Sequence, residues 1–295
     1  MKNIPVLMVS GKSLAEAWEK SLVLLYEQGC RFKTEYDKKD EPLSIDSTMC
    51  VVMEDPLSEP RIHRCFPGSL EFLEEYRMEV VEGIKDDWIR NPDDPEDTRW
   101  EYTYHERLFS YSFINKNSKK ERINQIEYIA QKLASSPYSR RAQAITWKVW
   151  EDINIDDPAC LQSIWCRIMI DDAGVWWLNT NVRMRSNDAY EAAFMNMFAF
   201  VSLQEQIASK IQRLSQKEVR IGRYVHFADS YHIYGKRIDD FEKRFLTAVR
   251  ERKFEDRTWT MEFAREFFES ARPQIIEKVR YETEKMNKPK IDREK

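Results

Sequence analysis

The spacing of apolar side chains predicts a helix near the beginning of the chain. Ser13 and Glu16 form a capping-box pattern, and Gly29 supplies a stop signal. Between these signals, apolar residues recur at helical spacing at Leu14, Trp18, Leu22 and Leu25. The pattern therefore predicts a helix over residues 13–28.

Similar patterns predict further helices along the chain. One is expected over 69–82, and a second should open at the capping-box pattern of residues 118–121 and end at Pro137. A long amphipathic helix is expected from Asp188, as its N-cap, to about residue 213. Two or three helices should follow residue 235, with Pro273 at the start of one.

Strand patterns fill most of the remaining chain. Residues 31–67 are expected to be extended segments and loops, and residues 142–150 alternate as a strand does. A hairpin turn at Asp171–Gly174 should join two further strands, and residues 219–234 have a strand pattern. This mixture predicts one α+β domain over residues 1–295, with helices packed on a mostly antiparallel or mixed sheet. Residues 286–295 are expected to be a flexible tail.

Composition places the chain among folded globular proteins. Hydrophobic residues make up 42% and charged residues 33%, and the net charge is −4. This charge argues against nucleic acid or a membrane surface as a partner, so an anionic substrate would need a local arginine cluster. The sequence shows neither a signal peptide nor about 20 consecutive apolar residues, which predicts a cytoplasmic location.

The cysteines do not form a structural framework. There are five, Cys30, Cys50, Cys65, Cys160 and Cys166, at scattered spacing and without a CxxC motif. That pattern favours reduced thiols over disulfides or a zinc site, and we expect no bound metal.

Four polar elements could carry chemistry, although each also has an ordinary structural explanation. Cys160 precedes a predicted strand and could be either a nucleophile or a core thiol. Arg140 and Arg141 could bind phosphate or form a solvated surface. The segment 183–188 could bind an anion at a helix start or simply cap the helix. His232 and Tyr234 point to the same side of a strand, where they could bind a ligand or be a half-buried polar pair.

The order of these elements resembles that of the thymidylate synthase superfamily. This family carries an SRR element, a tryptophan-containing strand, a Pro-Pro-Cys nucleophile, an R-S-x-D element with an asparagine in the following helix, and a later D-x-H-x-Y strand. The matching residues, in the same order and with similar gaps, are Ser139-Arg140-Arg141, Ile145-Thr146-Trp147, Pro158-Ala159-Cys160, Arg185-Ser186-Asn187-Asp188, Asn196 and His232-Ile233-Tyr234. The resemblance covers residues 125–235, and Tyr104 looks like the active-site tyrosine of the family.

The resemblance implies covalent catalysis on a pyrimidine nucleotide. The Cys160 thiolate would add to C6 of the base and make C5 nucleophilic toward a one-carbon unit carried by methylene-tetrahydrofolate. Arg185 would lower the thiol pKa and contact the phosphate. Tyr104 would assist removal of the C5 proton, and Asp188 would orient the pterin and its water network.

The remaining roles concern binding and assembly. The resemblance implies that Ser186 helps to hold the phosphate and that His232 and Tyr234 bind the sugar hydroxyl. Arg140 and Arg141 would reach the phosphate in the other subunit, which implies a symmetric homodimer with shared sites. Asn196 favours uracil, because an amide can donate to a carbonyl and accept from a ring N–H.

The sequence departs from the family pattern at several positions. The catalytic glutamate belongs to an ELLWFLxG helix, and a gapless alignment on Gly83 places Tyr76 at its position. Glu79 lies one turn further along and is preferred, with Glu75 as the alternate; either could instead be a surface charge. Leu161 replaces the histidine after the nucleophile.

Three further departures concern the folate side. Residues 192–196 replace GLPFN, and Trp88 is an uncertain match to the tryptophan that guards the one-carbon unit. The ending is charged, whereas the family has a short apolar terminus that closes the site.

These departures leave the reaction outcome open. Methylation of dUMP to dTMP is the first expectation, and C5-hydroxymethylation of dUMP, dCMP or CMP is the alternative, since access of water decides between them. An inactive homologue that binds nucleotide or RNA is an alternative of another class, and a structural protein with surface arginines is a third.

Overall fold

Helices form one layer of the fold and a mixed sheet forms the other. The computed structural model describes residues 3–91, 94 and 96–287. The α-helices are α1 (Leu14–Gln28), α2 (Leu70–Glu82), α3 (Tyr104–Phe109), α4 (Gln125–Ser135), α5 (Val149–Asp152), α6 (Ala193–Ser215), α7 (Ile238–Asp240), α8 (Thr247–Glu251) and α9 (Met261–Met286). A π-helical segment covers Phe241–Leu246, and 3₁₀ turns cover Asp86–Trp88, Gly235–Arg237 and Glu255–Arg257.

The main sheet combines parallel and antiparallel pairs. The strands are β1 (Val6–Gly11), β2 (Cys30–Phe32), β3 (Ser44–Met53), β4 (Ile62–His63), β5 (Tyr111–Ile114), β6 (Lys120–Ile123), β7 (Gln143–Ile145), β8 (Leu161–Ile170), β9 (Trp176–Asp188), β10 (Val219–Ile233) and β11 (Thr258–Trp259). Seven of these described strands form one sheet in the order β1-β3-β10-β9-β8-β7. Strand β2 pairs with the first residues of β3, on the same side as β1. The pairs β1–β3 and β9–β10 are parallel and the others in this sheet are antiparallel, which confirms the predicted α+β class with a mixed sheet.

The core lies between this sheet and the helices α1, α2, α4 and α6. Trp18 of α1 is fully buried, and its indole N–H donates to the carbonyl of Ala189 at 2.9 Å. Burying an indole while satisfying its donor adds apolar area at little polar cost, so this contact anchors α1 to the end of β9. A smaller apolar cluster joins α2 to α9 through Met78, Trp88, Ile275 and Val279.

The predicted helices over 13–28 and 69–82 are confirmed. Ser69 caps α2 by accepting from the N–H of Phe72, and Gly83 ends it in the left-handed conformation at φ 70°. A glycine suits this position because a side chain there would be strained and would meet the ring of His105. The hairpin of β8 and β9 around Asp171–Gly174 is also confirmed.

Two helix starts differ from the prediction. Residues 111–123 form the hairpin of β5 and β6, and α4 begins only after Asn124, whose side chain caps it. Asn115 stabilises the hairpin turn, because its side-chain oxygen Oδ1 accepts hydrogen bonds from the backbone N–H groups of Asn117 and Lys119. Strand β9 continues to Asp188, and α6 begins at Ala193 after Ala192 as its N-cap, so the predicted long helix starts four residues late.

Other boundaries differ as well. Strand β1 was not predicted, and the predicted strand over 142–150 is a three-residue strand followed by the helical turn α5. Pro273 lies inside α9, where its exposed position leaves the freed carbonyl access to water. Of the predicted tail, residues 288–295 lie outside the described residues. Within the described ranges, none of the helices is long and apolar enough to cross a membrane.

Candidate active site

Strand direction gathers the predicted site residues at one edge of the sheet. Strands β9 and β10 are parallel, so Asp188, the last residue of β9, lies directly opposite His232, the next-to-last residue of β10. Strand β8 runs antiparallel to β9, which brings its start, next to Cys160, to the same edge. The structure therefore brings together Cys160, Arg185, Asp188 and His232 from three separate segments.

Arg185 holds the loop that carries Cys160. Its Nε donates to the carbonyl of Ala159 at 3.2 Å and its Nη2 donates to that of Pro158 at 2.5 Å, while its backbone N–H donates to the carbonyl of Cys160 at 2.8 Å. Burial raises the pKa of the Cys160 thiol above its ordinary value, and the Arg185 guanidinium only partly opposes this. Arg185 thus acts in the expected direction, but desolvation is the larger effect.

Phenol groups surround the cysteine. The hydroxyl of Tyr104 accepts a long hydrogen bond, 3.4 Å, from the N–H of Leu161, the residue after Cys160. Burial raises the pKa of Tyr76, Tyr102 and Tyr104, and charge on Cys160 contributes to each shift. Three neutral hydroxyls therefore lie close to the thiol. Those of Tyr102 and Tyr104 can donate hydrogen bonds to a reacting base, whereas that of Tyr76 already donates to Asn196.

A cavity of about 430 Å³ opens beside these phenols. Its walls include Tyr76, Glu79, Trp100, Tyr102 and Tyr104. Another cavity of about 460 Å³ lies between α2, α6 and α9 and holds none of the predicted site residues, so chemistry rather than size identifies the site. Aromatic walls with a carboxylate suit a flat, hydrogen-bonding ring.

Glu79 and Glu75 occupy different environments. Glu79 lines the cavity, and its Oε2 lies 3.0 Å from Lys85 Nζ. Burial raises the pKa of Glu79 despite this ion pair. Glu75 instead pairs with Lys85 and with Lys278 of α9, both at 2.8 Å. Burial acts to raise its pKa, but the two lysines outweigh burial and the pKa is lowered.

Lys85 connects the two carboxylates. Its ammonium group is buried and lies 5.0 Å from the ring centroid of Trp88 and 5.6 Å from that of Trp100. A buried ammonium needs both carboxylates and aromatic faces to offset its lost hydration. Trp88 itself packs between α2 and α9 and donates to Thr283, so it supports Lys85 and is not a cavity wall.

Asn196 is held from two sides in the first turns of α6. Its Oδ1 accepts from the hydroxyl of Tyr76 at 2.7 Å, and its Nδ2 donates to the carbonyl of Ala192 at 3.1 Å. The Asn196 amide therefore keeps one free lone pair on Oδ1 and one free N–H on Nδ2. These two groups are complementary to the N3–H and O4 of uracil. Tyr76, the residue that aligns with the family glutamate, therefore orients the amide.

Asp188 ends β9 and caps the turn that leads to α6. Its Oδ1 accepts from the backbone N–H groups of Tyr190 and Glu191 at 3.0 and 2.8 Å. Burial nevertheless raises the pKa of Asp188 to about 6. The capping prediction was thus right in kind, although the helix itself starts later.

His232 and Tyr234 contact each other at the end of β10. Their ring centroids are 4.6 Å apart in an edge-to-face arrangement. Burial lowers the pKa of His232 to about 4 and raises that of Tyr234 to about 12, so both are neutral near pH 7. Ser186 of β9 lies opposite Ser230, which is two residues before His232 in β10.

Arg140 and Arg141 are not part of this cluster within the chain. Both side chains are exposed just before β7, at the far edge of the sheet, and neither forms an ion pair within the part of the chain that the structure describes. Trp165 of β8 donates from its indole nitrogen to the carbonyl of Arg140 at 3.1 Å.

Three residues of this site were missed or assigned no role by sequence reasoning. Tyr102 lies two residues before Tyr104 in the YTY segment, and that repetition was the available signal. Tyr76 was noted only as a replacement for glutamate, and Lys85 was part of a charged loop. Their roles depend on burial that a charge pattern does not report.

Comparison with known proteins adds an independent observation. The family model described as thymidylate synthase matches residues 73–290. A candidate thymidylate synthase of Methanocaldococcus jannaschii is 29% identical over 246 residues, which cover 82% of this chain and 96% of that protein. Thymidylate synthase of Bacillus mojavensis is 26% identical over 134 residues, which cover 45% of this chain and 44% of that protein.

A solved structure has a similar fold. Thermostable thymidylate synthase A from Bacillus subtilis superposes with a TM-score of 0.58 at 17% identity, covering 79% of this chain and 84% of that chain. At this identity the likeness shows a shared fold alone.

The buried carboxyl of Asp188 generates a prediction on stability. Its folded pKa of about 6 lies above the unfolded value, so the stability it contributes is present at low pH and is lost as pH rises through about 6. Asp188→Asn cannot ionise and keeps an acceptor oxygen. We expect urea unfolding to give a free energy of unfolding about 1–3 kcal/mol above wild type at pH 8, and little difference at pH 4.

The control is Asp171→Asn. Asp171 also accepts from two backbone N–H groups, but it is exposed and its pKa is lowered, chiefly by the indole of Trp177. This variant should show no gain at pH 8. An equal effect of Asp188→Asn at both pH values would contradict the prediction.

Proposed function

Because the chain belongs to the thymidylate synthase family, we propose that it transfers a one-carbon unit from methylene-tetrahydrofolate to C5 of dUMP, giving dTMP. Members of this family are folate-dependent one-carbon transferases that use methylene-tetrahydrofolate as co-substrate. The observation that carries the specific proposal is that Cys160 lies beside Arg185 and near the Tyr76–Asn196 pair, at the end of the sheet where His232 also lies.

The proposed chemistry begins with the thiol. The Cys160 thiolate adds to C6 of uracil, which places negative charge on the O4 side of the ring. One side-chain N–H of Asn196 donates to the carbonyl of Ala192, and the other can donate to O4 and stabilise that charge. Because burial raises the thiol pKa, a nearby cation is needed to favour the thiolate, and Arg185 is the candidate.

Glu79 and Tyr104 are the proposed proton-transfer groups. Glu79 lines the cavity and has a raised pKa, which suits a group that both accepts and donates protons near neutral pH. The Tyr104 hydroxyl lies beside the residue that follows Cys160, in reach of a base attached to the thiol. Asp188 is the proposed pterin-orienting group, since its second oxygen makes no hydrogen bond within the described residues.

Phosphate and sugar would lie across the strand ends. Arg185 and Ser186 are the proposed phosphate ligands in the same chain, and His232 and Tyr234 the proposed ligands of a sugar hydroxyl. The pair Arg140 and Arg141 would complete phosphate binding from a second copy of the chain.

An uncovered sheet face supports this shared arrangement. On the side away from the helices, one cross-strand row consists of Met8, Cys50, Phe227, Arg183 and Ser163. The next row includes Val52, Val225 and Trp165, and Val6 and Met8 at the edge are 75% and 70% exposed. Such a face is suited to a self-complementary partner, and Trp165 connects it to Arg140.

The first test identifies the reaction. Purified protein is incubated with methylene-tetrahydrofolate and, separately, dUMP, dCMP, UMP and CMP, with products identified by mass and folate state by absorbance. We expect dTMP and dihydrofolate from dUMP, and no turnover by Cys160→Ala. Cys166→Ala is the matched control, because Cys166 is a buried thiol on β8 that should not affect chemistry.

Other outcomes support other functions. A hydroxymethyl nucleotide without dihydrofolate identifies a hydroxymethylase, and the accepted base then shows what Asn196 recognises. Tight nucleotide binding without product or exchange of the C5 proton identifies an inactive binding homologue. Full turnover by Cys160→Ala contradicts the covalent mechanism.

A second test distinguishes the two glutamates. Glu79→Gln keeps the shape of the side chain but removes its proton transfer, so kcat should fall by about 10²–10⁴-fold. Glu75→Gln removes the charge that pairs with Lys85 and Lys278 but keeps an acceptor oxygen for both ammonium groups. Because Glu75 does not line the cavity, its kcat should fall clearly less than that of Glu79→Gln. Equal losses, with both variants folded by circular dichroism, would count against Glu79 as the proton-transfer group.

A third test addresses shared sites. Inactive Arg140→Ala and Cys160→Ala subunits are mixed under conditions of proven subunit exchange. A mixed dimer has one site with both an intact thiol and an intact partner arginine, so about a quarter of wild-type activity should return if association is random. No recovery would argue that each chain binds phosphate alone.

A further inference from the structure

His232 lies between two carboxylates in a row across the sheet. In the strand register it is directly opposite Asp46 of β3 on one side and Asp188 of β9 on the other. Residues directly opposite in neighbouring strands point to the same face. Asp46 is 6% exposed and His232 is 7% exposed, so both are largely withdrawn from water.

A serine links Asp46 to the imidazole. The hydroxyl of Ser230 donates to Asp46 Oδ2 at 2.7 Å, and the same Ser230 oxygen lies 3.1 Å from Nδ1 of His232. Within the described ranges, Nε2 of His232 has no protein partner. This nitrogen is not one of the polar atoms that are closed off from solvent without a hydrogen-bond partner. It therefore remains accessible to a ligand.

Counting protons determines the roles in this chain of hydrogen bonds. An ionised carboxylate only accepts, so the single hydroxyl proton of Ser230 points to Asp46. The Ser230 oxygen can then only accept from the ring, which requires the proton on Nδ1. A neutral His232 therefore presents the lone pair of Nε2 to the site, where it accepts from a donor such as a hydroxyl.

We propose that Asp46 is a positioning residue that, through Ser230, fixes the Nδ1–H tautomer of His232 so that Nε2 accepts a hydrogen bond from a sugar hydroxyl of the nucleotide. The sugar part rests on the proposed function. The tautomer part concerns this chain alone and can be measured without a substrate.

The surrounding charges are consistent with this arrangement. Burial lowers the pKa of His232 to about 4, opposed by the Ser230 backbone and by Asp37, so the ring is neutral above pH 5. Burial raises the pKa of Asp46 to about 6, opposed chiefly by Ser230, so the carboxylate is ionised at pH 8. The other titratable groups facing this row are Cys30, Asp188 and Tyr234.

Asp46 is costly to the fold, which argues for a role beyond stability. Its Oδ1 is sealed from solvent and has no hydrogen-bond partner among the described residues. A buried carboxylate with one satisfied oxygen destabilises the folded state relative to an apolar residue. The contact with Ser230 is the main compensating interaction, with further help from the backbone N–H groups of Ser47 and Tyr231, and it leads to the ligand side of His232.

The first experiment measures the tautomer directly. Protein labelled with ¹⁵N-histidine is compared at pH 8 as wild type, Asp46→Ala and Asp46→Asn, with His232→Gln used to assign the signal among the four histidines. Wild type should show Nδ1–H. In Asp46→Ala, Ser230 has lost its acceptor and can donate to Nδ1 of His232. In Asp46→Asn, the amide can donate to the Ser230 oxygen, which leaves the Ser230 proton for Nδ1. Both variants should therefore shift toward the Nε2–H tautomer.

Ser47→Ala is the matched control. Ser47 is the neighbour of Asp46 and is fully buried, and its hydroxyl has no hydrogen-bond partner among the described residues, so removing that hydroxyl should leave the tautomer unchanged. Circular dichroism and thermal melting establish that each variant is folded. Both folded Asp46 variants retaining the wild-type Nδ1–H signal would overturn the proposal.

The second experiment measures sugar recognition. Binding of dUMP is compared with that of 2′,3′-dideoxyuridine monophosphate, which lacks the sugar hydroxyls. Wild type should prefer dUMP by roughly tenfold or more, because the analogue leaves Nε2 unpaired. In the Asp46 variants the preference should fall severalfold, and in Ser47→Ala it should not change.

The outcomes separate this inference from the proposed function. An unchanged preference in the Asp46 variants, despite a shifted tautomer, would overturn the role in sugar recognition. If the chain does not bind uridylate at all, wild type should bind neither nucleotide while the tautomer still shifts in the Asp46 variants. That result would overturn the sugar part and support the hydrogen-bond chain.

Discussion

The parallel pairing of β9 with β10 is the constraint on which the rest of the site depends. Two parallel strands end at the same edge of a sheet, so the ends of β9 and β10 meet there. Strands β8 and β3 are antiparallel to these two, and their first residues therefore arrive at the same edge. One choice of strand direction thus collects a thiol, a guanidinium, an imidazole and two carboxylates from four separate segments of the chain.

Helices complete the site from the other side. Helix α2 supplies Tyr76 and Glu79, one turn apart, so the group that orients Asn196 and the carboxylate in the cavity move as one unit. This helix is in turn tied to α9 by the Glu75–Lys278 ion pair and by a small apolar cluster. The position of Glu79 therefore depends on contacts made well outside the cavity.

The sequence predicted those parts of the molecule that local signals determine. Helix α2 has a capping serine and a terminal glycine, and both act as expected. The strand motifs around Cys160, Arg185 and His232 were located because they follow one another in a recognisable order. Competing local signals and tertiary contacts decided the rest. The capping pattern at 118–121 lies in a hairpin because Asn115 stabilises the turn there.

Burial explains the site residues that the sequence did not assign. Lys85 belongs to a charged stretch, and only the folded chain shows its ammonium enclosed by two tryptophans and two glutamates. Asp46 belongs to an ordinary strand pattern, and its importance depends on a cross-strand neighbour 186 positions later. A linear pattern reports which groups are polar but not which of them lose their water.

The row Asp46–His232–Asp188 has an evolutionary consequence. Burial favours the neutral form of each member and shifts all three pKa values, so the two aspartates are ionised against that preference at pH 8. Random substitutions at these positions therefore include many that make the fold more robust. A lineage released from selection for its chemistry should lose these residues early while keeping the sheet intact, so their presence in a related sequence marks a chain that is still under selection for its site.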